Sequence, residues 1–145
     1  MVNYVQGIYE VKNKEKYTAK KNPRFLSSWE LETFKEFDNN PAILEWGSEV
    51  AVISYYNPIK RRMARYMVDL YVKYQDKDGN IIRELVEIKP MAQVAKPVIG
   101  GKRKKSTDVY ATATYIINMA KWTAAAKWCK EHGMNFRIIT EQNIY

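Results

Sequence analysis

The chain of 145 residues is 46% hydrophobic and 28% charged, so we expect one folded domain. It lacks an apolar run of about 20 residues and the apolar core of a secretory signal. We therefore expect a protein that is neither membrane-spanning nor secreted. Its 24 Lys and Arg residues outnumber its 16 Asp and Glu residues, and the net charge of +8 favours a polyanionic partner. Nucleic acid is the commonest such partner, with an anionic membrane or an acidic protein as alternatives. The single cysteine and single histidine exclude a structural zinc site and a disulfide within the chain.

The first predicted elements are a basic segment, a helix and a strand. Residues 1–26 combine lysines with tyrosine and isoleucine, so we expect this segment to pack on the domain. Ser27-Ser28 predict the start of a helix over residues 28–39, which ends at Asn40-Pro41. A strand is predicted over residues 49–56 because its side chains are mainly apolar, β-branched or aromatic.

Two strands joined by a tight turn follow, and then a loop, the longest helix and a last strand. Asp78-Gly79-Asn80 tolerates positive φ and therefore predicts a hairpin turn. Pro90 ends the strand after that turn, and Gly133 ends the long helix. The predicted bounds are strands at 64–74 and 81–89, a loop at 90–107, a helix from 108 to about 131 and a strand at 135–140.

The order of these elements predicts the fold class. Three antiparallel strands precede a crossover helix, and a right-handed crossover would place the last strand parallel in the same sheet. We predict an α/β fold (α+β, mixed sheet) with an αβββαβ core, a four-stranded mixed sheet flanked by two helices. One domain would span residues 1–145, with residues 1–26 packed on a core at 27–141.

Two carboxylates and a lysine converge at one end of the predicted hairpin. Strand alternation places Asp69 on the face opposite to Val68 and Leu70. Glu87 and Lys89 project from one face of the next strand, and the turn brings Asp69 opposite the end of that strand. Two acids and a base would therefore meet near Pro90.

This combination suits phosphodiester hydrolysis. Two carboxylates can hold Mg²⁺ and leave positions for water, and the ion would polarise the phosphate and lower the pKa of a bound water. A nearby lysine can orient that water or stabilise charge on the phosphoryl oxygens. The alternative is a solvated sheet face with an ordinary Glu–Lys pair, and spacing alone leaves both interpretations open.

Glu30 lies on the buried side of the first helix. On a helical wheel it falls between Phe34 and Phe37, and a buried carboxylate needs a partner. The alternative is a capping box, Ser27-x-x-Glu30, in which the side chain bonds back to its own helix N-terminus. Glu49, at the start of the first predicted strand, is a weaker acidic candidate that a strand-edge charge explains equally well.

An acidic residue on the first helix, Asp69 within Tyr-Met-Val-Asp-Leu-Tyr-Val, and Glu87-Ile-Lys89 together resemble the PD-(D/E)xK nuclease superfamily. The position before Asp69 is valine rather than proline, a departure that is frequent in that superfamily. The resemblance implies a restriction-endonuclease-like core that uses Mg²⁺ or Mn²⁺. It implies Asp69, Glu87 and Glu30 as acids of the metal site and Lys89 as the catalytic lysine.

A second likeness covers nearly the whole chain. Residues 22–30 (Asn-Pro-Arg-Phe-Leu-Ser-Ser-Trp-Glu), 38–41 (Asp-Asn-Asn-Pro) and 46–49 (Trp-Gly-Ser-Glu) are similar to the head-completion nuclease family of T4-like bacteriophages. This resemblance implies processing of packaged DNA ends and joining of filled heads to tails. Phage portal and neck proteins would be partners besides DNA, in the host cytoplasm or on the virion.

Two basic runs flank the predicted site, one in the loop after the third strand and one before Asp69. We expect both to contact DNA phosphates; the alternative is a pair of solvated charge runs. The candidate phosphate-binding residues are Lys102, Arg103, Lys104 and Lys105 in the loop, and Arg61, Arg62 and Arg65 before Asp69.

Three functions remain open at this point. The chain could be a metal-dependent DNA nuclease of low sequence specificity in phage head completion, with endonuclease and exonuclease action both open. It could be a nuclease of the same fold in restriction, repair or transposition. It could also be a non-catalytic basic protein that binds DNA or a portal. The carboxylate–lysine set argues against the last, and the absence of a separate recognition domain argues against a sequence-specific restriction enzyme.

Overall fold

A four-stranded mixed sheet with a helix on each face organises the chain, of which the computed structural model describes residues 6–102 and 104–142. The predicted αβββαβ order is confirmed. The strands are Gly7–Ile8 (β1), Arg24–Phe25 (β2), Ile43–Asn57 (β3), Arg62–Gln75 (β4), Ile81–Ile88 (β5) and Asn135–Ile139 (β6). The helices are Ser28–Asn39 (α1), Met91–Val94 (α2) and Lys105–Glu131 (α3).

The main sheet has the strand order β3-β4-β5-β6. The first three strands are antiparallel neighbours, and β6 pairs with β5 in parallel, as the right-handed crossover through α3 predicts. The β4–β5 ladder extends only from Gln75↔Ile81 to Leu70↔Val86, whereas β3 pairs with β4 along nearly its whole length. Strands β3 and β4 therefore continue beyond β5 as a two-stranded ribbon.

Each face of the sheet buries its own hydrophobic cluster. Phe34 and Phe37 of α1 pack against Trp46, Leu70 and their neighbours on one face. The ring of Trp46 is wholly buried, with the rings of Tyr17, Phe34, Phe37 and Tyr9 at centroid distances of 4.7, 5.9, 6.2 and 6.5 Å. On the other face, α3 packs against the ribbon and β5 through Trp122, Ala125 and Cys129.

The basic N-terminal segment packs against α1 and β3. The buried carboxylate of Asp38 accepts hydrogen bonds from the Tyr9 hydroxyl (2.5 Å) and from the backbone N–H groups of Lys12 (2.8 Å) and Asn13 (3.0 Å). Thr18 donates its backbone N–H to the carbonyl of Trp46 (2.8 Å). A buried aspartate, which the sequence patterns did not single out, thus anchors this segment to the core.

Most predicted bounds agree with the structure, but three elements begin earlier than expected. Helix α1 spans the predicted residues, whereas β3 begins at Ile43 rather than 49, β4 at Arg62 rather than 64 and α3 at Lys105 rather than 108. Glycine is typical of the end of a strand, but β3 continues through Gly47 and then bulges between Ser48 and Ala51. A short helix, α2, also lies within the predicted loop. Within the described part of the chain, no helix is long and apolar enough to cross a membrane.

The expected alternation of β4 is wrong at one point. Val68 packs on the α3 side together with Tyr66, whereas Leu70 packs on the α1 side. The change occurs at Asp69, where the partner strand β3 carries its bulge. A bulge alters the local twist and redirects side chains, and this one lies at the candidate site.

Candidate functional site

Asp69 lies where β4 separates from β5. It directly precedes Leu70, the first residue of β4 in that ladder, which pairs with Val86. Its Oδ2 accepts a hydrogen bond of 2.9 Å from the backbone N–H of Ile88. The carboxylate therefore accepts from a backbone N–H of β5 that the backbone of β4 no longer pairs. This hydrogen bond fixes the Asp69 side chain between the two strands.

Glu87 and Lys89 stand at the end of β5, as predicted. Glu87 is 4% exposed, and its Oε2 accepts a hydrogen bond from the hydroxyl of Tyr66. Its Oε1 lies 3.8 Å from Nζ of Lys89. The backbone N–H of Lys89 donates to the carbonyl of Ile139 in β6 at 3.0 Å, which holds the lysine at the sheet edge.

The two carboxyl groups of Asp69 and Glu87 are electrostatically strained. Burial raises the pKa of Glu87, and the neighbouring charge of Asp69 raises it further. Burial also raises the pKa of Asp69, although the Ile88 N–H and Lys89 oppose that rise. Two like charges that lose water together favour holding a proton or a cation between them.

Glu30 fulfils its capping role and also faces the same site. The Ser27 hydroxyl accepts the Glu30 backbone N–H (3.2 Å), and Glu30 Oε2 accepts the N–H of Leu26 (2.9 Å). Burial raises the pKa of Glu30, the Leu26 hydrogen bond lowers it, and the charge of Asp69 raises it again. The capping interpretation and the proximity to Asp69 therefore both hold.

A cavity of about 120 Å³ joins these elements. Glu30 of α1, Glu49 of the bulge and Asp69 of β4 all line it, together with Arg24 and Ile88. Glu49 has φ of 55°, a left-handed conformation that is unfavourable for a residue with a side chain and is often found at functional sites. The weaker acidic candidate thus lies on the wall of the same cavity.

The donor chemistry of this site fits a hard divalent cation. In residues 6–102 and 104–142 no three His, Cys, Asp or Glu side chains stand close enough to hold a metal ion by themselves. Mg²⁺ commonly uses only one or two carboxylates and keeps several waters. Asp69 and Glu87 would hold it through oxygen, and a cation there would offset the burial of two carboxylates, which raises both pKa values.

The two basic runs are exposed. Their described residues are Arg61, Arg62, Arg65, Lys102, Lys104 and Lys105. Lys105, at the start of α3, lines a mostly apolar depression of about 580 Å³ together with Ile59, next to the ribbon tip. Arg103 lies outside the described residues.

Tyr66 is the residue of this site that the sequence patterns missed. Strict alternation along β4 places it on the face away from Asp69. Because alternation breaks at Asp69, Tyr66 instead lies on the α3 side and reaches Glu87. No local signal in the sequence marks that break, since the bulge belongs to the neighbouring strand.

A mixed sheet opened at Asp69, with Glu87 and Lys89 at its edge, defines a nuclease of the PD-(D/E)xK type. A family model of TnsA-like endonuclease N-terminal domains matches residues 40–141, and the chain therefore belongs to this endonuclease family. The match includes Asp69, Glu87 and Lys89 and begins after Glu30.

The chain is also similar to the head completion nuclease of Enterobacteria phage T4. The two sequences are 33% identical over an alignment of 145 positions, and the alignment covers 95% of this chain and 92% of the phage protein. The predicted resemblance to PD-(D/E)xK nucleases and to the phage protein is thereby confirmed. Nucleases of this type generally use divalent metal ions.

Proposed function

We propose that this chain is a metal-dependent deoxyribonuclease that hydrolyses phosphodiester bonds with little sequence preference during phage head completion. The observation that carries the proposal is the pair of partly buried Asp69 and buried Glu87 beside Lys89, with Asp69 also lining a cavity together with Glu30. Two acids that share a desolvated site without a matching number of bases make a poor structural element and a good cation site.

Each residue of the set has a distinct proposed role. Asp69 and Glu87 hold Mg²⁺ or Mn²⁺, and Glu30 contributes an acid from the opposite cavity wall. A divalent ion held there supplies Lewis-acid activation of the scissile phosphate and acidifies a bound water. Lys89, one-third exposed at its side chain and 3.8 Å from Glu87, is placed to orient the attacking water or to stabilise phosphoryl charge.

The two exposed basic runs supply affinity rather than chemistry. Arg62 and Asp69 are seven residues apart on β4, so about 23 Å of strand separates the ribbon tip from the site. Cations at that distance would contact phosphates remote from the cleaved one. Phosphate contacts carry no sequence information, and the chain would therefore cut with little sequence preference.

The proposed biological step is completion of filled heads so that tails can join. The similarity to the T4 head completion nuclease over 95% of this chain supports it. We further propose that the whole chain acts as one nuclease domain, in the host cytoplasm or on the filled head. Portal or neck proteins would present the DNA to it.

Cleavage of a covalently closed plasmid tests the chemistry. The purified protein is incubated with supercoiled plasmid in Mg²⁺, in Mn²⁺, or in EDTA. We expect nicked and linear products only with metal, because two carboxylates without a cation cannot activate the phosphate. A linear end-labelled duplex in parallel separates endonuclease from exonuclease action. Full cleavage in EDTA would contradict the proposal.

A further inference from the structure

A buried tyrosine contacts one of the two proposed metal ligands from the side of α3. Tyr66 is 5% exposed, and its hydroxyl donates to Oε2 of Glu87. The other carboxylate oxygen, Oε1, faces Lys89. One oxygen of Glu87 is therefore hydrogen-bonded within the protein interior, and the other lies beside Lys89.

The ring of Tyr66 is itself packed against α3. Trp122 of α3 lies in the same buried hydrophobic cluster as Tyr66. Nζ of Lys121 lies 5.6 Å from the centre of the Tyr66 ring, a cation–π distance. Two residues of α3 thus fix a β4 tyrosine, which in turn fixes a β5 carboxylate.

Resting on the proposed function, we propose that Tyr66 is a positioning residue for the metal site. Its hydroxyl holds Glu87 in the one orientation that presents Oε1 to a cation shared with Asp69. Partners that orient a ligand in this way commonly change metal affinity by about 10- to 100-fold when they are removed. Tyr66 touches neither substrate nor metal in this scheme.

The test compares Tyr66→Phe with a matched control, Tyr55→Phe. Both tyrosines are 5% exposed and belong to the same hydrophobic cluster, and both substitutions keep the ring while removing one hydroxyl. Binding of Mn²⁺ is measured by isothermal titration calorimetry on the full chain, and thermal unfolding in EDTA reports whether each variant folds. We expect Tyr66→Phe to weaken Mn²⁺ binding about tenfold or more and Tyr55→Phe to leave it unchanged.

A kinetic readout separates positioning from a general structural role. Tyr66→Phe should lower kcat at limiting Mn²⁺ without raising KM for DNA, and excess Mn²⁺ should restore part of the rate. Wild-type affinity in Tyr66→Phe, or an equal loss in Tyr55→Phe, would overturn the assignment. If the wild-type protein itself binds no Mn²⁺ and cleaves no DNA, the proposed function fails instead, so the two failures are distinguishable.

Discussion

At the scale of single residues, the burial of Asp69 and Glu87 creates a charged site and lowers the stability of the fold. Each carboxyl is buried against the other, and the pKa of each is raised first by burial. The folded protein therefore holds protons more tightly than the unfolded chain. The contribution of these two groups to stability is therefore fully present below their unfolded pKa of about 4 and falls as pH rises through the raised folded values.

Asp69→Asn should consequently stabilise the protein without metal at neutral pH. The substitution removes one buried charge and keeps a side chain that can accept the Ile88 hydrogen bond. We expect the midpoint of thermal unfolding in EDTA to rise by about 3 °C for each kcal/mol gained, and the fall in stability between pH 5 and 8 to become shallower. Added Mg²⁺ should stabilise the wild-type protein only. A lower midpoint for the variant in EDTA would contradict this description of the pair.

Lys89 should act in the chemical step, whereas Lys102, Lys104 and Lys105 should act in DNA binding. Lys89→Ala should reduce turnover by about 10²- to 10³-fold, the usual cost of one charge-stabilising donor, with little change in DNA affinity. Joint replacement of Lys102, Lys104 and Lys105 with alanine should weaken binding and flatten its salt dependence. Plasmid cleavage measures turnover, and fluorescence anisotropy with labelled duplex measures the DNA affinity and its salt dependence. A Lys89→Ala effect confined to affinity would reverse the assignment.

At the scale of elements, the β3 bulge decides what the sequence could and could not predict. Alternation and turn residues predicted the strands and the meeting of Asp69 with Glu87 and Lys89, and the right-handed crossover predicted the parallel β6. The same alternation gave the wrong face for Val68 and excluded Tyr66 from the candidate site. It failed because the break in β4 accompanies a bulge in the neighbouring strand β3. Pairing between strands is a tertiary property, and a pattern within one strand cannot report it.

Close packing of the N-terminal segment on β3 gives a prediction for Gly47. A Cβ at this position would collide with Oγ1 of Thr18, whose backbone is bonded to Trp46. Gly47→Ala should therefore displace the segment and cost about 1–3 kcal/mol, as overpacking usually does. Chemical denaturation measures the loss, and Thr18→Ala in the same background should recover part of it. An unchanged free energy of unfolding in Gly47→Ala would show that the segment yields freely.

At the scale of the whole molecule, the proposed function would have a chain of 145 residues with a net charge of +8 carry both chemistry and phosphate affinity within one sheet and its flanking helices. Base-specific readout needs side chains that reach groove edges, and the candidate DNA contacts assigned in this chain are phosphate contacts. Selection of the cleavage position would then come from DNA geometry or from the protein that presents the DNA.

The phage phenotype of Glu87→Ala distinguishes head completion from other nuclease tasks. If cleavage serves head completion, the mutant phage should accumulate DNA-filled heads and free tails that do not join, which electron microscopy of infected-cell lysates detects. Arrest at empty heads, or normal yields of infectious particles, would instead favour a role in restriction, repair or transposition. Glu131→Ala, which alters an exposed acid at the end of α3 and outside the cavity, is the matched control.

Nicking of supercoiled plasmid by purified Asp69→Asn protein in Mg²⁺ tests the central claim most directly. Asp78→Asn, which makes the same change in the exposed β4–β5 turn, serves as the control for purification and folding. We expect Asp78→Asn to cleave at the wild-type rate and Asp69→Asn to lose at least about 10³-fold, as removal of one essential charge-stabilising group can. Equal cleavage by both variants would contradict the assignment of the active site to Asp69, Glu87 and Lys89.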